Sequence, residues 1–401
     1  MGEEGRRKRV VRSQVPDWLR NDERLAQASA VLPSNYDFEV AKTVWRIRQS
    51  GAQRVALQLP EGLLMYGNAL ADICVTFGCA QTAFVLGDPT YGACCVDDYT
   101  AEALGADLLV HYGHSCLVPV QHTRISCLYV FVTVQFEPSH LANCVRKSLS
   151  PSCSLALAGT IQFIHAVHSL KSELEHDFAE IRVPQSKPLS PGEVLGCTAP
   201  NLRNRHDAIV FVADGRFHLE AMMIANPGVP TYRYDPFTRT LTREEYDHKG
   251  MRSARKDAIE RAKGAQSWGI VLGTLGRQGN PAVVNYLTQL AARNNLDVTV
   301  VLMAELSPER LARVEDIDAW AQVACPRLSI DWGESFDKPV LNPYEAAAAM
   351  GATAPFYESN AGNMGEYPMN YYAATEDEPW TSAYVRARPQ RAQRVQQVVS
   401  A

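Results

Sequence analysis

One pattern, a β-rich run leading into a helical stretch, occurs three times along the chain and constrains the fold more than any other feature. The first unit opens with RVALQLPEGL at 54–63 and continues as LMYGNALADICVTFG. The second opens with SLALAGTIQF at 154–163, followed by IHAVHSLKSELEHDF. The third opens with WGIVLGTLGRQGNP at 268–281, followed by AVVNYLTQLAARNN. Each unit then offers a second strand (80–87, 179–185 and 296–303) and a third (106–116, 207–217 and 318–328). A spacing of roughly 100 to 115 residues between openings is that of whole domains, not of a short-period solenoid. The strands are near-continuous apolar runs, as expected of parallel sheets covered on both faces. The expectation is therefore an α/β protein of three repeated βαβ-type domains with parallel sheets. Their boundaries fall at 35–150, 151–262 and 263–372, between a basic, flexible N-terminal segment (1–34) and a disordered tail (373–401).

Composition narrows the function. Of 401 residues, 46% are hydrophobic and 21% charged, as in a soluble globular protein. The net charge of −5 creates no field that would hold nucleic acid. No apolar run approaches the ~18 residues that cross a bilayer. The N-terminus MGEEGRRKRVVRSQ is basic with no apolar segment behind it, so it does not read as a secretory signal. Ten cysteines in such a chain argue against a disulfide framework and for a reducing, cytoplasmic setting. Most of them, such as Cys74 in ADICVTF and Cys127 in SCLYVFV, sit in apolar elements as small hydrophobes.

The polar, glycine-rich segments fall after strands, at the edge where open α/β sheets bind ligands. Three of them carry a cysteine, one per unit: GDPTYGACCVDD (Cys94 or Cys95), LGCTAP (Cys197) and ACPRLSIDWG (Cys325). Zinc is normally closed by four ligands, often from CxxC pairs, and the chain has none. Three thiolates suit a [4Fe–4S] cluster with one iron left open, yet on spacing alone the reading of cysteines packed beneath turns prevails. Cys116 in HYGHSC, at the end of a third strand as Cys325 is, stands as a rival ligand. Asp97 and Asp98 are poor iron–sulfur ligands.

The segments GDPTYGACCVDDYTAEALGADLLVHYGHSCLVP, LSPGEVLGCTAP, ADGRFHLEAMMIANPGVPTYRYDPFTR, GTLGRQGNP, VACPRLSIDWG and YPMNYYA closely resemble the diphthamide synthesis enzymes. Within them the likeness is to the eukaryotic branch that works as one of two related subunits. It runs from about Leu32 to about Tyr372. The resemblance implies that Cys94, Cys197 and Cys325 hold a [4Fe–4S] cluster at the centre of the three domains. It implies, too, that S-adenosylmethionine is cleaved so that its 3-amino-3-carboxypropyl group passes, by a radical route, to C2 of a histidine in translation elongation factor 2. The implied partners are a related second subunit, a small iron-binding electron donor and the elongation factor, with no nucleic acid and no membrane.

The residues that would hold S-adenosylmethionine must be argued from chemistry. Its carboxylate wants a bidentate cation or a set of backbone N–H groups. GTLGRQGNP offers both, through Arg277 and Gln278 between Gly276 and Gly279. ADGRFHLE adds Asp214, Arg216 and His218 at another strand end. His114 and Glu61 are weaker candidates, each as readily closing a turn. Two alternatives stay open: a three-cysteine cluster enzyme of the quinolinate-synthase type acting as a dehydratase, and a non-catalytic scaffold or electron-relay subunit.

Overall fold

The structure is a computed structural model and describes residues 14–88, 90–202, 205–358, 366–372 and 378–381. Residues 1–13 of the basic N-terminal segment and most of the 373–401 tail lie outside it.

Each unit folds around its own sheet, and the three sheets share one strand order: second, first, third, fourth. In the first, Thr82–Val85, Arg54–Gln58, Leu108–Tyr112 and Ser126–Val130 lie side by side, all parallel, with Ala56 opposite Phe84 on one flank and Leu109 on the other. In the second, Glu180–Arg182, Ser154–Gly159, Ala208–Val212 and Thr231–Asp235 repeat the plan, and Thr240–Glu244 adds an antiparallel edge. In the third, the order is Asp297–Met303, Ser267–Gly273, Ala319–Val323 and Val340–Leu341. The chain steps outward to its second strand and returns across the first to its third. That reversal is the switch point at which α/β sheets open a crevice.

The helices follow from local signals. Pro281–Arg293 starts on an Asn280 cap with proline at its first position, and buries Val283, Val284, Leu287, Leu290 and Ala291 on one face. Gly67–Thr76 and Ile164–Leu174 take the same place in the other units. Among them the sheets bury near-complete apolar strands, with Leu108–Tyr112, Ala208–Val212 and Ala319–Val323 fully inside. No helix is long and apolar enough to cross a membrane, among the described residues.

Four features depart from the sequence-based expectation. Each sheet has a fourth strand. Residues 14–34 are not a free segment over their described length: the helices Asp17–Arg20 and Glu23–Ser29 bury Leu19 and Leu25 against Val44 and Ile73. The helix His248–Lys263 packs with the third unit, not the second, because Arg255 is buried in a two-pronged pair with Glu345 at 2.7 Å. Finally, Asp297–Met303 is not covered on both faces: Val300 and Leu302 are 44% and 65% exposed.

Candidate metal centre

Loops from all three units meet around one cavity of about 310 Å³. The first unit lends Tyr91–Cys94 and Leu117, the second Leu195–Cys197, Phe217 and His218, and the third Leu275, Gln278, Ala304, Leu306, Cys325, Arg327 and Trp332. Cys94, Cys197 and Cys325 all reach this wall, although the chain separates them by more than a hundred residues at each step. Cys95 does not: it is buried behind Cys94 among the first unit's backbone, and its carbonyl accepts from Gln58 Nε2 at 2.7 Å. Nor does Cys116, whose Sγ turns to the Val118 carbonyl.

The three thiols are close enough to interact: Cys197 and Cys325 raise the cost of ionising Cys94, and Cys325 that of ionising Cys197. Burial pushes Cys197 up to about 12 and Cys325 up to about 11. Cys94 is driven well up as well, by its hydrogen bond to Cys95 and then by burial. Such thiols are protonated at neutral pH and are poor nucleophiles; they give up their protons to a metal. Yet among the described residues no three His, Cys, Asp or Glu side chains form a single-ion site.

Two arginines fasten this assembly. Arg277 grips Asp98 through Nε and one terminal nitrogen at 2.7 and 2.6 Å, donates to the His122 carbonyl and lies 4.0 Å over the Tyr99 ring. Its own N–H donates to the Cys94 carbonyl at 3.0 Å. Gly276 sits at φ +54°, and a Cβ there would meet the Cys95 carbonyl oxygen at 2.4 Å. Only glycine allows that approach. The glycine loop of the third unit is thus a clamp on the cysteine loop of the first. Arg277 is consumed by this role and does not line the cavity, which corrects the expectation that its guanidinium awaits a carboxylate.

The second clamp is Arg327, which sequence reasoning missed. It is buried, pairs with Asp331 at 2.9 Å and Glu220 at 2.6 Å, and donates to the Phe217 carbonyl at 2.7 Å. It therefore ties the Cys325 helix to the second unit, and its charge opposes the upward shift of both Cys197 and Cys325. A cation in the first turn of Pro326–Trp332 is out of place by helix electrostatics, and that misfit was the signal available in the sequence. Gly196 leaves room for the Phe217 ring, which a Cβ would meet at 2.0 Å, and the ring in turn stacks beneath Arg327.

The remaining candidates divide. His218 and Gln278 line the cavity. Asp214 and Arg216 do not; Arg216 pairs with Glu220 and Glu244. Gly279 packs against the Gly273 carbonyl and serves the turn. His114 is half-buried against His111, and Glu61 opens a 3₁₀ turn in an exposed position. A further element is the YPMNYY segment, which straps the Cys197 loop. Ala199 N–H donates to the Met369 carbonyl, Tyr371 N–H to the Cys197 carbonyl, and Tyr372 N–H to Thr198 Oγ1.

A family model described as "putative diphthamide synthesis protein" matches residues 59–359. The chain belongs to the diphthamide synthesis family. Its relatives named 2-(3-amino-3-carboxypropyl)histidine synthase subunit 1 include that of Gallus gallus, 51% identical over 96% of this chain and 92% of the relative. That of Homo sapiens is 48% identical over 92% and 83%, and that of Schizosaccharomyces pombe 48% over 94% and 86%. The fold is similar to the crystal structure of Dph2 from Pyrococcus horikoshii with a 4Fe-4S cluster, with a TM-score of 0.68, 23% identity and coverage of 86% of this chain and 97% of that one. As a family member this protein is an enzyme of the transferase type that its relatives' names describe.

Proposed function

We propose that this chain transfers the 3-amino-3-carboxypropyl group of S-adenosylmethionine to C2 of a histidine in translation elongation factor 2, the first step of diphthamide biosynthesis. A [4Fe–4S] cluster would be held by Cys94, Cys197 and Cys325. The observation that carries this reading is the meeting of three cysteines, one from each unit, on the wall of a single cavity. When bound, the cluster supplies the electron that breaks the bond between the sulfonium and the methionine side chain.

The chain's own residues supply the rest. Arg327 sets a buried positive charge beside two of the thiolates and offsets the negative charge of a sulfide cluster. Leu117, Leu195, Leu275 and Leu306 make the wall apolar, which keeps water and stray hydrogen donors from a reactive carbon. Gln278 and His218 are uncharged polar groups on that wall, which also carries Glu305 and the Arg327–Asp331 pair; His218 is held neutral by burial, so both can bond the amino-acid end of the co-substrate. The relatives' designation "subunit 1" supports a second subunit; the iron-binding electron donor and a cytoplasmic setting belong to the same reading.

The test is anaerobic reconstitution with iron and sulfide, reduction, and addition of S-adenosylmethionine. A reduced-cluster paramagnetic signal and formation of methylthioadenosine are expected, both lost in Cys197→Ala with the second subunit intact. A signal without methylthioadenosine would favour a dehydratase of the quinolinate-synthase type. Product that persists in the Cys197→Ala pair would leave this chain a scaffold.

A further inference from the structure

A sheet edge presents a row of unpaired N–H and C=O groups, and folded proteins blunt such edges with shortness, charge or cover. Here the first sheet ends in the four-residue Thr82–Val85 and in the largely buried Ser126–Val130. The second ends in Glu180–Arg182, of three residues, and in Thr240–Glu244, which carries Arg243 and Glu244. One end of the third is the buried pair Val340–Leu341. The other end is Asp297–Met303, and among the described residues none of these devices protects it. It has seven residues, DVTVVLM, with no charge after Asp297, and among the described residues it pairs only with Ser267–Gly273. Val298, Val301 and Met303 pack inward, leaving Val300 at 44% and Leu302 at 65% exposure.

We propose that Asp297–Met303 is the docking edge for a second α/β subunit of the same fold, which adds its own edge strand and continues the sheet across the interface. This rests on the two-subunit reading given above. The occupant follows from the chemistry of the edge. An uncharged aliphatic strand has nothing to offer a charged peptide or a nucleic acid, whereas a related subunit brings an equivalent sheet with an equivalent edge. A two-fold relation between two such edges pairs them antiparallel, and backbone bonds give affinity while Val300 and Leu302 give specificity. The strand runs straight into Ala304, Glu305 and Leu306 on the cavity wall, so the docked subunit borders the mouth of the site beside exposed Trp332.

The experiment co-expresses the full-length chain with the related subunit of the same organism and follows association by light scattering and amide exchange. Residues 297–303 are expected to gain exchange protection in the complex. The double substitution Val300→Lys, Leu302→Lys is expected to weaken association roughly tenfold or more while leaving the melting temperature of the isolated chain unchanged, since both side chains are exposed. A variant pair as tight as the wild type, or protection elsewhere, overturns the proposal. A complex of two copies of this chain through the same strand overturns the choice of partner. If the wild-type chains do not associate, the two-subunit reading falls with the proposal, while the cysteine chemistry remains answerable to the paramagnetic signal.

Discussion

Arg277 and Asp98 lie 179 residues apart in the chain and meet as a two-pronged ion pair, with the carboxylate fully buried. The pair closes the seam between the first and third units directly behind Cys94 and Cys95. Burial alone would raise the Asp98 carboxyl, but Arg277 and the Arg124 N–H outweigh it and hold it below the usual range. Asp98→Asn is expected to cost about 2–4 kcal/mol, because it strands a guanidinium partly desolvated. Arg277→Lys should fail to restore it, since lysine has neither the fork nor the flat face over Tyr99. Because the carboxyl is depressed in the fold, the pair's contribution is present at neutral pH and is lost as pH falls below about 4. Urea unfolding of wild type and Asp98→Asn across that window measures both, and equal slopes would refute the assignment.

Among the cysteines, position relative to the cavity decides the outcome of replacement. Cys94→Ala, Cys197→Ala and Cys325→Ala should each lose most of the iron and the reduced-cluster signal. Cys116→Ala and Cys127→Ala should keep both. Cys95→Ala should keep the iron but lower stability by about 1 kcal/mol through loss of a small buried group. Iron and sulfide analysis after anaerobic reconstitution checks all six.

Arg327 is expected to set the potential of the centre. Removing a buried positive charge favours the more oxidised, less negative state, so Arg327→Met should shift the reduction potential downward, and Arg327→Lys should recover part of the shift. A redox titration reads this directly. An unchanged potential with lowered stability would make Arg327 only a clamp.

Burial pushes His114 and His218 down to about 4 each. Both are neutral in the fold and would be charged in the unfolded chain below about pH 6.5. Stability should therefore decline as pH drops from 6.5 toward 4, by roughly 1–2 kcal/mol per histidine by pH 5. His114→Gln and His218→Gln should flatten that slope, which denaturant titrations at pH 7 and pH 5 would reveal.

The strands that open each unit were legible because buried parallel strands are written as unbroken apolar runs. The fourth strands were not. Thr231–Asp235 carries Arg233 and two tyrosines, and Val340–Leu341 has only two residues. Spacing made the cysteines legible as candidates but not as a set, because no local spacing relates residues that converge only through three separate folds; the family resemblance alone singled out Cys94, Cys197 and Cys325. Arg277 was read as an open anion site for the same reason: nothing near it in sequence names Asp98 as its partner. The helix His248–Lys263 was placed in the wrong unit because the repeat marks where strands begin, whereas its allegiance is fixed by Glu345.

The strap over the Cys197 loop has a consequence for biogenesis. That loop takes backbone partners from Met369 and Tyr371, much later in the chain. On the ribosome, the first two thiols emerge long before the residues that fix the second of them in place. The loop that carries Cys197 therefore reaches its final backbone conformation only after residues 369–371 have been made.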